Sequence, residues 1–260
     1  MAMTSRRDAL KLALLGAAVG TAAAQERAPV LGLVMPVDPE VPPEARAMYP
    51  AGVQFRAQGL DLKTMTPQGY DAVLERIAPA AQALKQQGAR ALVLMGTSLS
   101  FYKGAAFNRE LTQRLGEAGG CPAVTMSTAV IEGLRRMGGR RIAVATAYDD
   151  EVNQRLRAFL REEGFEVLVI RGLGVEKVGD IKKVTHEGLL NFSVGVSRSV
   201  PNADALLVSC GGLRTLELLE PLEQQCGVPV VSSLPHALRA GVRLVGHSGR
   251  VPGHGRLLAS

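Results

Sequence analysis

Cys210 ends an apolar run and opens a glycine pair in Ala205-Leu206-Leu207-Val208-Ser209-Cys210-Gly211-Gly212-Leu213, which predicts a thiol at the carboxyl end of a β-strand. An earlier segment, Ala91-Leu92-Val93-Leu94-Met95-Gly96-Thr97-Ser98-Leu99, has the same shape, with Gly96 where the later one has cysteine. One half of the molecule offers an acid–base group and the other offers none. Moving a proton from one face of a carbon to the other takes two such groups, whereas protonating one face takes one. Hydroxyls gather at the same places: Thr97, Ser98 and Ser100 after the first strand, Ser127 and Thr128 after the next, and Ser232 and Ser233 as their counterpart. Hydroxyls and N–H groups at helix starts cradle carboxylate or phosphate, so a small anionic ligand is expected. Neither glycine-rich phosphate motif is present, and no nucleotide cofactor is expected.

The elements that must hold these residues alternate. Strands are predicted near Val30 to Met35, Ala91 to Met95, Ala123 to Met126, Arg141 to Thr146, Glu166 to Ile170, Ala205 to Ser209 and Val228 to Ser232. Helices are predicted over Thr66 to Gln87, Phe107 to Ala118, Thr128 to Arg136, Asp150 to Glu163, Thr185 to Ser199, Leu213 to Gln225 and Pro235 to Gly241. Such alternation predicts an α/β fold with parallel sheets covered on both faces.

An internal repeat sharpens this reading. Gly120-Cys121-Pro122-Ala123-Val124-Thr125-Met126-Ser127 returns as Gly227-Val228-Pro229-Val230-Val231-Ser232-Ser233-Leu234, and Leu31 to Pro36 matches Ile142 to Ala147. With the Gly96 and Cys210 segments, three strand ends correspond in the same order. The expected architecture is two similar Rossmann-like lobes, 25–137 plus 233–260 and 138–232, related by a pseudo-twofold axis with strand ends facing a shared cleft. Gly96 and Cys210 would then view one ligand from opposite sides.

Residues 1–24 are set apart. Ser5-Arg6-Arg7-Asp8-Ala9-Leu10-Lys11 leads into an uncharged run ending at Ala22-Ala23-Ala24, which reads as a twin-arginine export signal cleaved before Gln25, delivering a folded protein to a bacterial periplasm. A Sec signal and an uncleaved amino-terminal anchor are the alternatives. No other uncharged run approaches the roughly 18 residues of a membrane span, so no membrane attachment is expected after cleavage. The net charge of +6 is spread along the chain, and with 4% aromatics there is no stacking platform for nucleic acid. Basic charge here suits a small anion. Three cysteines fit no disulfide scaffold and no zinc spacing; Cys121 and Cys226 read as small buried fillers. His236, His247 and His254 read as solvated loop histidines and His186 as a plain helix start.

Met95-Gly96-Thr97-Ser98-Leu99-Ser100-Phe101-Tyr102, Ala145-Thr146-Ala147-Tyr148 and Ser209-Cys210-Gly211-Gly212-Leu213 together resemble the arylmalonate decarboxylases of the aspartate/glutamate racemase superfamily. The resemblance extends to Thr66-Pro67-Gln68-Gly69-Tyr70-Asp71-Ala72-Val73 and Val228-Pro229-Val230-Val231-Ser232-Ser233. Racemases and maleate isomerase of that superfamily carry a second cysteine at the position of Gly96; the decarboxylase carries glycine, as here. The resemblance implies cofactor-free loss of carbon dioxide from a disubstituted aryl or alkenyl malonate. Thr97, Ser98, Tyr148 and backbone N–H groups near Cys210 and Gly211 would hold the retained carboxylate and stabilise an enediolate. Pro36, Val37, Leu62, Met65, Leu99, Val178 and Ile181 would form the apolar pocket for the departing carboxylate. Cys210 would protonate the enediolate from one face. That role needs a neutral thiol, while a helix start favours thiolate; an apolar pocket is expected to oppose the helix. Val37, Met65 and the tail Gly246-His247-Ser248-Gly249 depart from the family pattern, which makes substrate range less determined than reaction type. A racemase or isomerase using Cys210 with another group, and a non-catalytic exported carboxylate-binding protein, are the other functions considered.

Overall fold

The computed structural model describes residues 28–260; the export signal proposed for 1–24 lies outside them. Two four-stranded parallel sheets form the frame. The first contains β1 (Val30–Met35), β2 (Gln54–Gly59), β3 (Ala89–Leu94) and β4 (Ala123–Thr125) in the order β2-β1-β3-β4. The second contains β5 (Arg141–Thr146), β6 (Glu166–Gly172), β7 (Ala205–Ser209) and β8 (Val230–Ser232) in the order β6-β5-β7-β8. The second order is the first repeated. β1 therefore answers to β5, β3 to β7 and β4 to β8, as the repeat predicts.

Eleven α-helices cover the sheets among the described residues: α1 (Pro43–Met48), α2 (Pro67–Asp71), α3 (Ile77–Gln86), α4 (Thr97–Phe101), α5 (Gly104–Gly119), α6 (Met126–Arg136), α7 (Asp150–Glu162), α8 (His186–Arg198), α9 (Leu219–Cys226), α10 (Ser233–Leu244) and α11 (Arg256–Ala259). Side-chain caps mark several starts: Thr66, Thr125, Asp149 and Thr185 each accept from the N–H three residues on. Apolar residues fill the central strands, as two-sided cover requires; every residue of β7 is buried. Among these residues no helix is long and apolar enough to cross a membrane.

Three expectations need correction. The single helix over Thr66 to Gln87 is broken into α2, a 3-10 turn at Leu74–Arg76 and α3. Pro79 explains the break, because a proline lacks the N–H of a helix interior and is tolerated in a first turn, which is where α3 places it. Likewise Pro221 sits in the first turn of α9, so the helix expected from Leu213 begins only after a 3-10 turn at Leu216–Leu218. β2 was not anticipated at all. Its sequence, Gln-Phe-Arg-Ala-Gln-Gly, carries polar residues along an edge strand paired on one side only.

The two lobes are tied together by α6 and α10, which follow β4 and β8 and pack on each other. α10 also lies on β3 and β4: a Cβ at Gly241 would stand 2.4 Å from Val93 Cγ2. α6 reaches the second sheet, where a Cβ at Gly133 would stand 3.2 Å from Val231 Cγ1. Each connecting helix thus touches both sheets, and the carboxyl ends of β1, β3, β5 and β7 meet across the gap between them.

Candidate active site

A cavity of about 530 Å³ opens at those strand ends. Gly96, Thr97, Ser98 and Leu99 enter it from β3 and α4; Cys210, Gly211 and Gly212 enter from the turn after β7. Tyr148 follows β5, Pro36 and Val37 follow β1, and Leu62 and Met65 lie in the loop after β2. Val178 and Ile181 come from a 3-10 segment, Val178–Lys183, that closes one wall. The residues that the family resemblance assigned to the site thus line one cavity.

Cys210 is the thiol in this lining, 5% exposed and with φ of 149°. Its N–H donates to Ser233 Oγ at 3.2 Å, and its carbonyl accepts from the Leu213 N–H at 3.2 Å. Gly211 is required by close approach: a Cβ there would stand 2.9 Å from Met126 Sδ and 3.1 Å from the Met95 carbonyl oxygen. A Cβ at Gly212 would stand 2.9 Å from Ile181 Cδ1. The glycine pair therefore lets the backbone N–H groups after Cys210 come near its sulfur.

Burial pushes the Cys210 thiol up to about 11, against the N–H groups of Gly212 and Leu213 and the Tyr148 hydroxyl, which pull it down. The conflict between a thiol and a helix start does not arise, because the turn after β7 leads first into a 3-10 segment rather than an α-helix. At neutral pH the group is a neutral acid. Burial likewise holds the Tyr148 phenol well above its usual range, so Tyr148 is a permanent donor.

The hydroxyls divide into two sets. Thr97, Ser98 and Tyr148 line the cavity. Thr97 donates to Met126 Sδ at 2.9 Å, a weak acceptor that a carboxylate readily replaces, and Tyr148 Oη lies 3.4 Å from Ser209 Oγ. Ser100, Ser127, Ser232 and Ser233 are outside the lining, contrary to a shared cradle at every strand end. Their hydroxyls hold backbone and one another instead: Ser100 Oγ to Ser127 Oγ at 2.7 Å, Ser127 Oγ to the Thr97 carbonyl at 3.0 Å, and Thr215 Oγ1 to Ser232 Oγ at 3.0 Å. Buried hydroxyls without ligand must find such partners.

Tyr70 packs behind the site without lining the cavity. It is fully buried beside Ser98 and Cys210, and burial raises its phenol above the usual range while the neighbouring Ser98 hydroxyl pulls it back. Asp38, Glu40, Glu44, Lys182 and Arg214 also line the cavity, and no motif announces them. The histidines lie elsewhere. His236 is not a solvated loop residue: it sits in α10, 3% exposed, with Nδ1 2.7 Å from the Ser232 carbonyl, because the first turn of that helix folds it back onto β8. Cys121 and Cys226 are half-buried and away from the cavity. Among the described residues no three of His, Cys, Asp and Glu converge as metal ligands.

Known proteins share this arrangement. The profile of the arylmalonate decarboxylase family matches residues 31–258. An arylmalonate decarboxylase from Bordetella bronchiseptica is 46% identical over 235 residues, covering 90% of this chain and 98% of its own. A liganded crystal structure of an arylmalonate decarboxylase with one glycine-to-cysteine and one cysteine-to-serine change superposes with a TM-score of 0.86 at 45% identity, covering 88% of this chain and 98% of the other. A maleate isomerase from Nocardia farcinica is more distant, at 28% identity over 244 residues, 88% of this chain and 94% of its own. Two equivalent sheets, a cavity between their strand ends and nearly full-length identity at this level lead to one conclusion: the chain belongs to the arylmalonate decarboxylase family.

Proposed function

We propose that this protein removes carbon dioxide from disubstituted aryl or alkenyl malonates without a cofactor and returns a single enantiomer of the monoacid. The observation that carries the proposal is the pairing of a neutral, buried thiol at Cys210 with a glycine at the equivalent strand end, so that a planar intermediate meets a proton donor from one side only.

In this mechanism Thr97, Ser98, Tyr148 and the Gly211 N–H hold the retained carboxylate. The departing carboxylate lies against Pro36, Val37, Leu62, Met65, Leu99, Val178 and Ile181, where poor solvation of charge favours its loss as neutral carbon dioxide. The carbon–carbon bond breaks, and its electron pair moves into an enediolate whose second negative charge falls on the oxygens facing those donors. Donors aimed at developing charge in a buried site each contribute about 3 kcal/mol or more. The Cys210 S–H bond then breaks, its proton passes to the carbon, and the thiolate is reprotonated from solvent water. A thiol with a pKa near 11 recovers that proton readily at neutral pH.

The test is release of carbon dioxide from 2-methyl-2-phenylmalonate and from a panel of aryl and alkenyl malonates. Activity is expected, with Cys210→Ser lowering kcat by about a thousandfold and the parent rate showing no thiol limb until the pH nears 11. No gas from any member of the panel would sink the proposal. Exchange of solvent deuterium into an unreacted chiral acid would point instead to a racemase, and tight carboxylate binding without turnover, unchanged in Cys210→Ala, to a binding protein. We propose further that Arg6-Arg7 directs twin-arginine export. Fractionation of cells producing the parent and an Arg6→Lys/Arg7→Lys variant checks this: parent in the periplasm and variant in the cytoplasm is expected, and equal distribution contradicts it.

A further inference from the structure

A second cavity of about 400 Å³ lies in the groove between α6 and α10, and shares no lining residue with the catalytic cavity. Three guanidinium groups line it, those of Arg136, Arg239 and Arg243, against one acidic side chain, Glu132. None of the three pairs with an Asp or Glu side chain among the described residues. They reach other oxygens: Arg136 Nε donates to Ser260 Oγ at 3.2 Å, Arg239 to a main-chain carboxylate oxygen of the last residue, Ser260, at 2.9 Å, and Arg243 to the Ser248 carbonyl at 3.2 Å. Arg136 and Arg243 thus lack the carboxylate partners that Arg141 finds in Asp204 and Arg135 in Glu163.

Two of the lining residues are themselves buried with bonding capacity unused. Arg239 is 7% exposed and its Nε has no partner; His236 is 3% exposed and its Nε2 has none. Leaving such groups unpaired costs free energy that a ligand could recover. The three cations also crowd one another: after burial, Arg243 and Arg136 are what lower the readiness of Arg239 to hold its charge. Three guanidinium groups facing only Glu132 and the Ser260 carboxylate leave positive charge in excess, which favours an anion.

The groove also follows the internal symmetry. α6 starts at Met126 and α10 at Ser233, and Arg136 and Arg243 are each the eleventh residue of their helix. Two pseudo-equivalent guanidinium groups flanking a buried third suit a ligand with more than one anionic oxygen, since planar guanidinium forks match oxyanions with two bonds each. α10 meanwhile supplies Ser233 to the Cys210 N–H, so an anion held in the groove would sit one helix from the reacting thiol.

We propose that the groove between α6 and α10 is a second ligand site, separate from the catalytic cavity, that takes a small polyvalent oxyanion through Arg136, Arg239 and Arg243. The full chain is titrated calorimetrically with inorganic phosphate and, separately, with succinate, at ionic strength matched with potassium chloride. A saturable event is expected that Arg136→Gln/Arg243→Gln weakens by about tenfold or more, the loss of charge-assisted bonds, while malonate decarboxylation is unchanged. Both changed residues are exposed, and a thermal melt verifies that the variant is folded. Tighter phosphate identifies a phosphate-type ligand, and tighter succinate a dicarboxylate. A variant that titrates like the parent, or a parent response that chloride reproduces, overturns the site. Either failure leaves the catalytic proposal untouched, because that proposal is read from carbon dioxide release alone.

Discussion

Gly96 and Cys210 end equivalent strands, β3 and β7, yet their backbones differ. Gly96 is extended, with φ −120° and ψ 101°, a conformation open to any residue. Cys210 has φ of 149°, a region that glycine visits freely and L side chains rarely adopt. Glycine thus occupies the ordinary position and cysteine the strained one. Local backbone preference would have placed them the other way round. What keeps Cys210 in place is its surroundings: the Ser233 hydroxyl on its N–H, the Leu213 N–H on its carbonyl and the tight seat of Gly211 against Met126. What disfavours a side chain at Gly96 is space alone, since a Cβ there would stand 3.0 Å from Leu99 Cβ. One end of the pair is set by packing and the other by a thiol held against conformational preference, which is the pattern expected where strain serves chemistry.

The largest effect comes from exchanging the two ends. Gly96→Cys combined with Cys210→Ser moves the thiol to the opposite lobe, so the proton should reach the other face of the enediolate and the product's handedness should invert. Backbone conformation does not oppose the change, and Leu99 must yield by a few tenths of an ångström. Chiral chromatography of the product decides the matter. Unchanged handedness in an active double variant would contradict the two-sided geometry.

That exchange could be conceived from sequence because the repeat aligns Gly96 with Cys210 before any coordinates are seen. The same repeat could have located β2, whose counterpart β6 is more apolar and was recognised; read alone, Gln54 to Gly59 shows too little alternation for a strand. The cavity wall was legible wherever residues follow strand ends, as Thr97 and Tyr148 do. Arg214 was not, because its position depends on how the turn after β7 packs rather than on a local pattern. The φ of Cys210 was also invisible, since cysteine gives no hint of a backbone region that glycine normally marks.

A smaller effect measures that strain directly. Cys210→Ala and Cys210→Gly both remove the thiol, so they share the loss of its buried contacts, and they differ in what the backbone must then bear. Alanine keeps a Cβ at φ of 149°, which costs on the order of 1–3 kcal/mol. Glycine relieves that cost but gives up about 0.4–1 kcal/mol through the greater freedom of its unfolded chain. The difference favours glycine, and Cys210→Gly should be the more stable of the two by about 1 kcal/mol. Urea denaturation of both variants at pH 7 measures it, with the parent as reference. At that pH the parent's thiol is neutral folded and unfolded alike, because its folded value is raised to about 11 and an unfolded thiol titrates near 8.5, so ionisation does not enter. If Cys210→Ala proves the more stable, the positive φ is not a strained state and the contrast between the two strand ends reduces to the space beside Leu99. If Cys210→Gly is the more stable yet inactive, the fold gives up stability at this one position to keep a thiol there.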